Sequence, residues 1–189
     1  MKHLLIILVC TLAISCKAQI YPLNTSPGDI PDNAYIKDIN NELDKYVGVW
    51  KGNWNGKTIY LDLRKVKTYI NIGTHPYYFD EINGERKIIN TNGIVETDRI
   101  SNFNSDGTEF WGMYKSLVYM GKNTMSFSPR NMCNKTATIH IMNLTSSQMT
   151  LKMIYDPNHY DENCIHNAYL AQHDDWPINF PKDIVLTKQ

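Results

Sequence analysis

Charge of either sign is not in excess: 19 Lys and Arg stand against 19 Asp and Glu, for a formal net charge of 0. Without a basic surplus, nucleic acid or another acidic polymer is not an expected partner. Long apolar runs are also missing. The stretch that comes nearest, residues 4–14 (LLIILVCTLAI), has eleven residues, whereas a membrane-spanning helix needs about 20. The chain holds no Gly-x-Ser-x-Gly, no Gly-rich phosphate loop, and no CxxC or HxxxH spacing. The local signatures of serine hydrolases, nucleotide-binding loops and compact zinc sites are therefore lacking, and no cofactor is implied. Adjacent acids such as Asp80 and Glu81 face opposite ways on a strand and cannot act together on one substrate. Internal repeats and low-complexity blocks are absent too.

What is present begins at the N-terminus. Met1-Lys2-His3 supplies a short basic start, residues 4–14 carry no charge, and small residues follow. That order is a secretory signal peptide. A buried core helix would need a polar face, and this stretch has none. Ala13-Ile14-Ser15-Cys16 resembles the lipobox of bacterial lipoproteins, with Ala13 where Leu is usual. The resemblance implies cleavage after residue 15 and lipid on Cys16, anchoring the chain to a membrane. Two or three acyl chains hold firmly, because each buried methylene contributes about 0.8 kcal/mol and one chain alone is marginal. The alternative is cleavage after Ala18, which leaves a soluble secreted or periplasmic protein beginning at Gln19.

Loss of the signal removes only Lys2 among the charges, so 19 basic against 19 acidic groups become 18 against 19. The mature part, roughly 170 residues, is long enough for one domain with a real core. The twelve Tyr, four Trp and five Phe suit strands. Of the four cysteines, Cys10 leaves with the signal and Cys16 takes the lipid. Cys133 and Cys164 remain as an even pair in an oxidising compartment, so a disulfide is expected, with a metal site as the sharper alternative. Residues 16–31 are rich in Pro, Ser, Thr, Asn and Gly and read as a flexible tether before a single β-rich domain over 32–189.

Within that domain, Ile36, Ile39, Leu43, Tyr46 and Val47 recur at helical spacing, predicting one N-terminal helix capped by Asp32 and ended by Gly48. Hairpin signals follow. Asn55-Gly56 separates strands expected over 47–54 and 57–66, because both positions of a two-residue turn need positive φ. Asn83-Gly84 reads as a second such turn between 77–82 and 85–90, and Asn92-Gly93 as a third before 94–97. Further strands are expected over 110–118, 124–128, 136–144, 148–155 and 184–186. The fold class is all-β: one antiparallel up-and-down barrel or sandwich of about eight or nine strands. Residues 156–183 show little periodicity. A loop that long is usually functional unless something staples it, and Cys164 bound to Cys133 is the expected staple.

Gly48-Val49-Trp50 resembles the Gly-x-Trp that opens lipocalin-like barrels, where the Trp plugs the closed end. The resemblance implies an opposite end able to admit a small apolar ligand. More broadly, LDKYVGVWKGNWNGKTIYLDLRKVK and YYFDEINGERKIINTNG resemble an uncharacterised family of small exported proteins of flavobacteria-type Gram-negative bacteria, many with a lipobox-like start. That likeness supports export and carries no catalytic residues. Glu85-Arg86-Lys87 stands where a more aromatic strand is expected.

Residues 156–183 also hold His159, Asp161, His166, His173, Asp174 and Asp175. His with carboxylate can ligate zinc, and His159, His166, His173 and Asp174 are the candidates; a solvated polar loop has the same composition. His75 reads as a loop residue and His140 as a strand-face residue. Trp50, Trp54, Trp111 and Trp176 either pack the core or line a sugar- or lipid-binding face, with Trp50 and Trp111 the pocket candidates. Three functions are thus in play. The first is a non-enzymatic, lipid-anchored envelope protein binding a small apolar ligand. The second is a module binding another envelope protein through a sheet edge or the long loop. The third is a hydrolase with its site in 156–183.

Overall fold

The computed structural model describes residues 19–73, 75–157, 162–173, 175–177 and 180–189. Among them lie strands β1 (Ile20–Pro22), β2 (Tyr35–Lys37), β3 (Gly48–Trp54), β4 (Lys57–Ile72), β5 (His75–Ile89), β6 (Val95–Asp98), β7 (Phe110–Lys115), β8 (Asn123–Phe127), β9 (Ala137–Leu144), β10 (Gln148–Tyr155) and β11 (Asp183–Lys188). One helix, α1 (Asn167–His173), precedes β11. The chain divides into two compact units, one of residues 19–42 with Lys67–Asp80, the other of Leu43–Val66 with Glu81–Gln189.

The larger unit is a closed antiparallel barrel of eight strands. Its strands follow one another as an up-and-down meander from β3 to β11, with β6 set aside as a partner of β5. Closure comes from β11 pairing with β3, Thr187 opposite Lys51 and Lys188 opposite Trp50. The first hairpin forms as its sequence predicts: Asn55 and Gly56 take φ of 49° and 79°, and Trp54 pairs with Lys57. Asn92-Gly93 also turns the chain, with Gly93 N donating to Asn90 O.

Asn83-Gly84 is a correction. Both residues lie inside β5, where Asn83 pairs with Trp111 and Gly84 with Phe110. The glycine is there for closeness of approach. A Cβ on it would stand 2.5 Å from Leu63 Cδ2 and 3.2 Å from Phe110 Cβ, so only Gly lets β4 and β7 close on β5. Asn83 instead donates from Nδ2 to Ser105 O at 3.0 Å.

Alternation along each strand fills the interior. Trp50, Ile59, Leu61, Leu63, Ile82, Phe110, Met125, Phe127, Ile139 and Leu186 are fully buried. An eight-stranded barrel is about wide enough for its own side chains, and aromatic rings occupy much of it. Phe110 stacks on Phe127 at 4.4 Å, and Phe180, shortly before β11 in sequence, packs against both at 5.4 and 5.5 Å. Arg86 also faces inward, its guanidinium carbon 5.1 Å from the Phe127 ring centre. Its charge is met by Glu109, Nε donating to Oε2 at 2.8 Å.

The helix expected over 32–47 does not form, a second correction. Asn33 and Asn41 take left-handed φ of 61° and 55°, which an α-helix cannot contain. Asp38 Oδ1 accepts from Glu42 N, the local side-chain bond that competes with helix geometry. In the smaller unit, β1 pairs parallel with β2, and β2 with β5 at Tyr78 and Phe79. Ile30, Ala34 and Ile36 form its core, with Tyr21, Leu23, Tyr77 and Phe79 against them. Asp80 ties it together, accepting from the Tyr35 hydroxyl and from Asp38 N. Burial and that carboxylate push the Tyr35 hydroxyl's pKa up. His75 bridges Asp32 Oδ1 and Pro27 O.

The staple of the long segment is present. Cys133 and Cys164 are disulfide-bonded with Cα atoms 5.6 Å apart, within the usual span of such bonds. The pair is therefore not a metal site.

Candidate functional site

The side chains that the barrel turns outward on β8, β9 and β10 stand in two rows. The register sets Thr124 beside His140 and His140 beside Lys152; it sets Ser126 beside Thr138 and Thr138 beside Ile154. Their neighbours along each strand, Met125, Phe127, Ile139, Ile141, Leu151 and Met153, point inward and are buried. Period-two alternation thus produces a polar patch on the outer wall directly over an apolar core.

The loop between β7 and β8 covers part of that patch. Ser116 N donates to Lys122 O, and Lys122 N to Tyr119 O. Ser116 Oγ accepts from Val118 N at 3.2 Å and from Tyr119 N at 2.8 Å, and it lies 3.1 Å from His140 Nδ1. The Tyr119 ring meets the imidazole edge-on at 4.8 Å. His140 is consequently only 2 % exposed although it sits on the outer wall.

Between loop and wall runs a groove of about 360 Å³, within the size range of small-molecule sites. Thr124, Ser126, Thr138 and His140 form its floor; Tyr114, Leu117 and Val118 form one side, and Ile154, Tyr155 and Pro157 the other. Asp156 also lines it, its carboxylate accepting from the Thr136 and Thr138 hydroxyls at 2.6 and 2.8 Å.

Electrostatics fix the protonation of the floor. Burial pushes the His140 pKa down, Lys152 adds to the depression, and Asp156 opposes it. The ring is therefore neutral at pH 7. Because Ser116 Oγ already accepts two backbone N–H groups, its own hydrogen goes to Nδ1, which leaves the ring hydrogen on Nε2. With Nδ1 taken by Ser116, Nε2 is the ring atom left for a ligand, and His140 lines the groove. The arrangement can hold a ligand with an apolar body and a hydrogen-bond acceptor.

The candidates from sequence that the structure describes lie elsewhere. Trp50 is fully buried in the barrel and donates from Nε1 to Tyr46 O at 2.8 Å; the Lys188 ammonium lies 5.2 Å from its ring centre. Trp111 is on β7, 40 % exposed and edge-on to the groove residue Tyr114 at 6.4 Å. His166 Nε2 bonds to Asn131 O, and His173 Nδ1 to Tyr169 O. Asp175 pairs with Lys182, which lowers its pKa. Cys16, His159, Asp161 and Asp174 lie outside the described residues. Among the described residues no group of three or more His, Cys, Asp or Glu gathers where it could hold a metal.

A second polar cluster surrounds β5 on its outer face. Glu85 is fully buried and Arg99 reaches its Oε1 at 3.2 Å. Burial raises the Glu85 pKa, and Arg99 opposes it. Lys87 pairs with Asp98, holding that carboxyl down at about 2 with help from Ser101. These contacts attach β6 and the turn after it to the wall.

Sequence reasoning placed His140 on a strand face but not in a site. Its signal was the run of Thr124, Ser126, Thr138 and His140 at alternate positions of neighbouring strands. No curated protein and no solved structure matches this chain. A family model does, over residues 1–189, and the chain belongs to that family, described as a family of unknown function (DUF6705).

Proposed function

We propose that this protein is exported, held in the cell envelope by lipid on Cys16, and there binds a small ligand, apolar over most of its length with one polar acceptor, in the groove over β8–β10. The observation that carries the ligand reading is the buried, neutral His140 offering an N–H between apolar walls. The disulfide fits an oxidising compartment, and the N-terminal segment supplies the address. The interior of the barrel is occupied by large side chains, so the ligand reading attaches to the outer groove and not to the lumen.

Extraction tests it. Protein purified from its own cells is denatured in organic solvent, and released small molecules are compared between wild type and Ile154→Asp. Ile154 is 38 % exposed, so the change alters the groove wall without opening the core. A molecule stoichiometric with wild type and lost from the variant supports the reading. Equal content in both, or none in either, refutes it. The anchor is tested separately: Cys16→Ala releases the protein from the membrane fraction, and wild type that is already soluble refutes lipidation.

A further inference from the structure

The loop over the groove ends in an apolar tip. Leu117 is 102 % exposed, Met120 98 % and Val118 66 %. The tip is held in shape by the Ser116 and Lys122 backbone bonds and by Ser116 Oγ, so these side chains are presented by an ordered turn. Clustered apolar exposure of this kind marks a contact surface.

The charge around it says what it contacts. From residue 110 to residue 155 the sequence has five Lys and Arg and no Asp or Glu, although the whole chain is balanced. Lys115 and Lys122 stand at the two stems of the loop, and no carboxylate pairs with either among the described residues. Lys45 lines a pocket together with Gly121 and Lys122. We infer that this tip docks on an anionic lipid surface, with Leu117, Val118 and Met120 entering the headgroup region and the lysines meeting phosphates. A second copy of the chain fits worse, because symmetric pairing of this face sets lysine against lysine. The inference does not depend on the groove holding a ligand.

Oxidation of Met120 by peroxide reads the docking at one residue in the full-length chain, whatever the N-terminus does. On phosphatidylcholine–phosphatidylglycerol vesicles its rate falls by about an order of magnitude, and on phosphatidylcholine alone it does not. Each lysine near an anionic surface contributes about 1 kcal/mol, so Lys115→Gln with Lys122→Gln weakens docking about thirtyfold and restores the rate. Leu117→Asp with Val118→Asp restores it too, and both positions are exposed enough for the fold to tolerate the change. An unchanged rate on anionic vesicles overturns the inference. So does equal slowing on neutral ones, or slowing with rising protein concentration in the absence of vesicles, which would mean self-association.

Discussion

Arg86 and Glu109 form an ion pair inside the barrel, their side chains 2 % and 4 % exposed, with Nε 2.8 Å from Oε2. Glu109 Oε1 also accepts from Arg130 N at 3.4 Å. A buried pair contributes little net stability, but removing one partner leaves an uncompensated charge. Glu109→Ala should therefore cost about 3–5 kcal/mol in urea unfolding, and Arg86→Met with Glu109→Leu should recover most of that. A loss in the single variant no larger than in the double would contradict the assignment.

Gly84 is expected to tolerate no side chain. Gly84→Ala drives a methyl against Leu63 and Phe110, and such overpacking costs about 1–3 kcal/mol. Thermal unfolding checks this, and a neutral or stabilising result would mean the strands part without strain.

The bond between Cys133 and Cys164, 31 residues apart in sequence, restrains the segment that carries α1 and Phe180. The chain-entropy model gives about 3–4 kcal/mol for a loop of this size. Reduction, or the double Cys→Ser variant, should expose 156–183 to protease before the β3–β4 hairpin is cut. Simultaneous cleavage throughout would show that the segment is held by packing alone.

His140 makes stability depend on pH. Above its ordinary pKa of 6.5 the ring is neutral folded and unfolded, and contributes no slope. As pH falls through that value the unfolded chain takes up a proton that the folded barrel resists, since the folded pKa is depressed. Stability must drop, and the loss sets in as pH falls below about 6.5. His140→Gln should flatten that part of the urea-midpoint profile. An unchanged slope would place the titration elsewhere.

Strand order was largely legible in the sequence because alternation at Ile139, Ile141, Met149, Leu151 and Met153 and the Asn55-Gly56 turn are local signals. Two features were not. Asn83-Gly84 has the composition of a turn, and only contact with Leu63 and Phe110 from distant strands explains a glycine inside β5. The apolar spacing from Ile36 to Val47 imitates a helix, whereas the left-handed Asn33 and Asn41 break it and Ile39 is 53 % exposed. The groove was harder still. Ser116, His140 and Ile154 come from three parts of the chain, and their meeting depends on barrel register and on a loop folding back over the wall. Glu85-Arg86-Lys87, out of place for an aromatic strand, becomes intelligible once Arg86 meets Glu109 inside and Glu85 meets Arg99 outside.

Native mass spectrometry of the protein taken from its own membranes tests the proposed lipid anchor and the proposed ligand over β8–β10 together. The predicted spectrum shows a chain beginning at acylated Cys16 with one additional small molecule, which departs in the Ile154→Asp variant. An unacylated chain beginning at Gln19, with no bound molecule in either form, would contradict it.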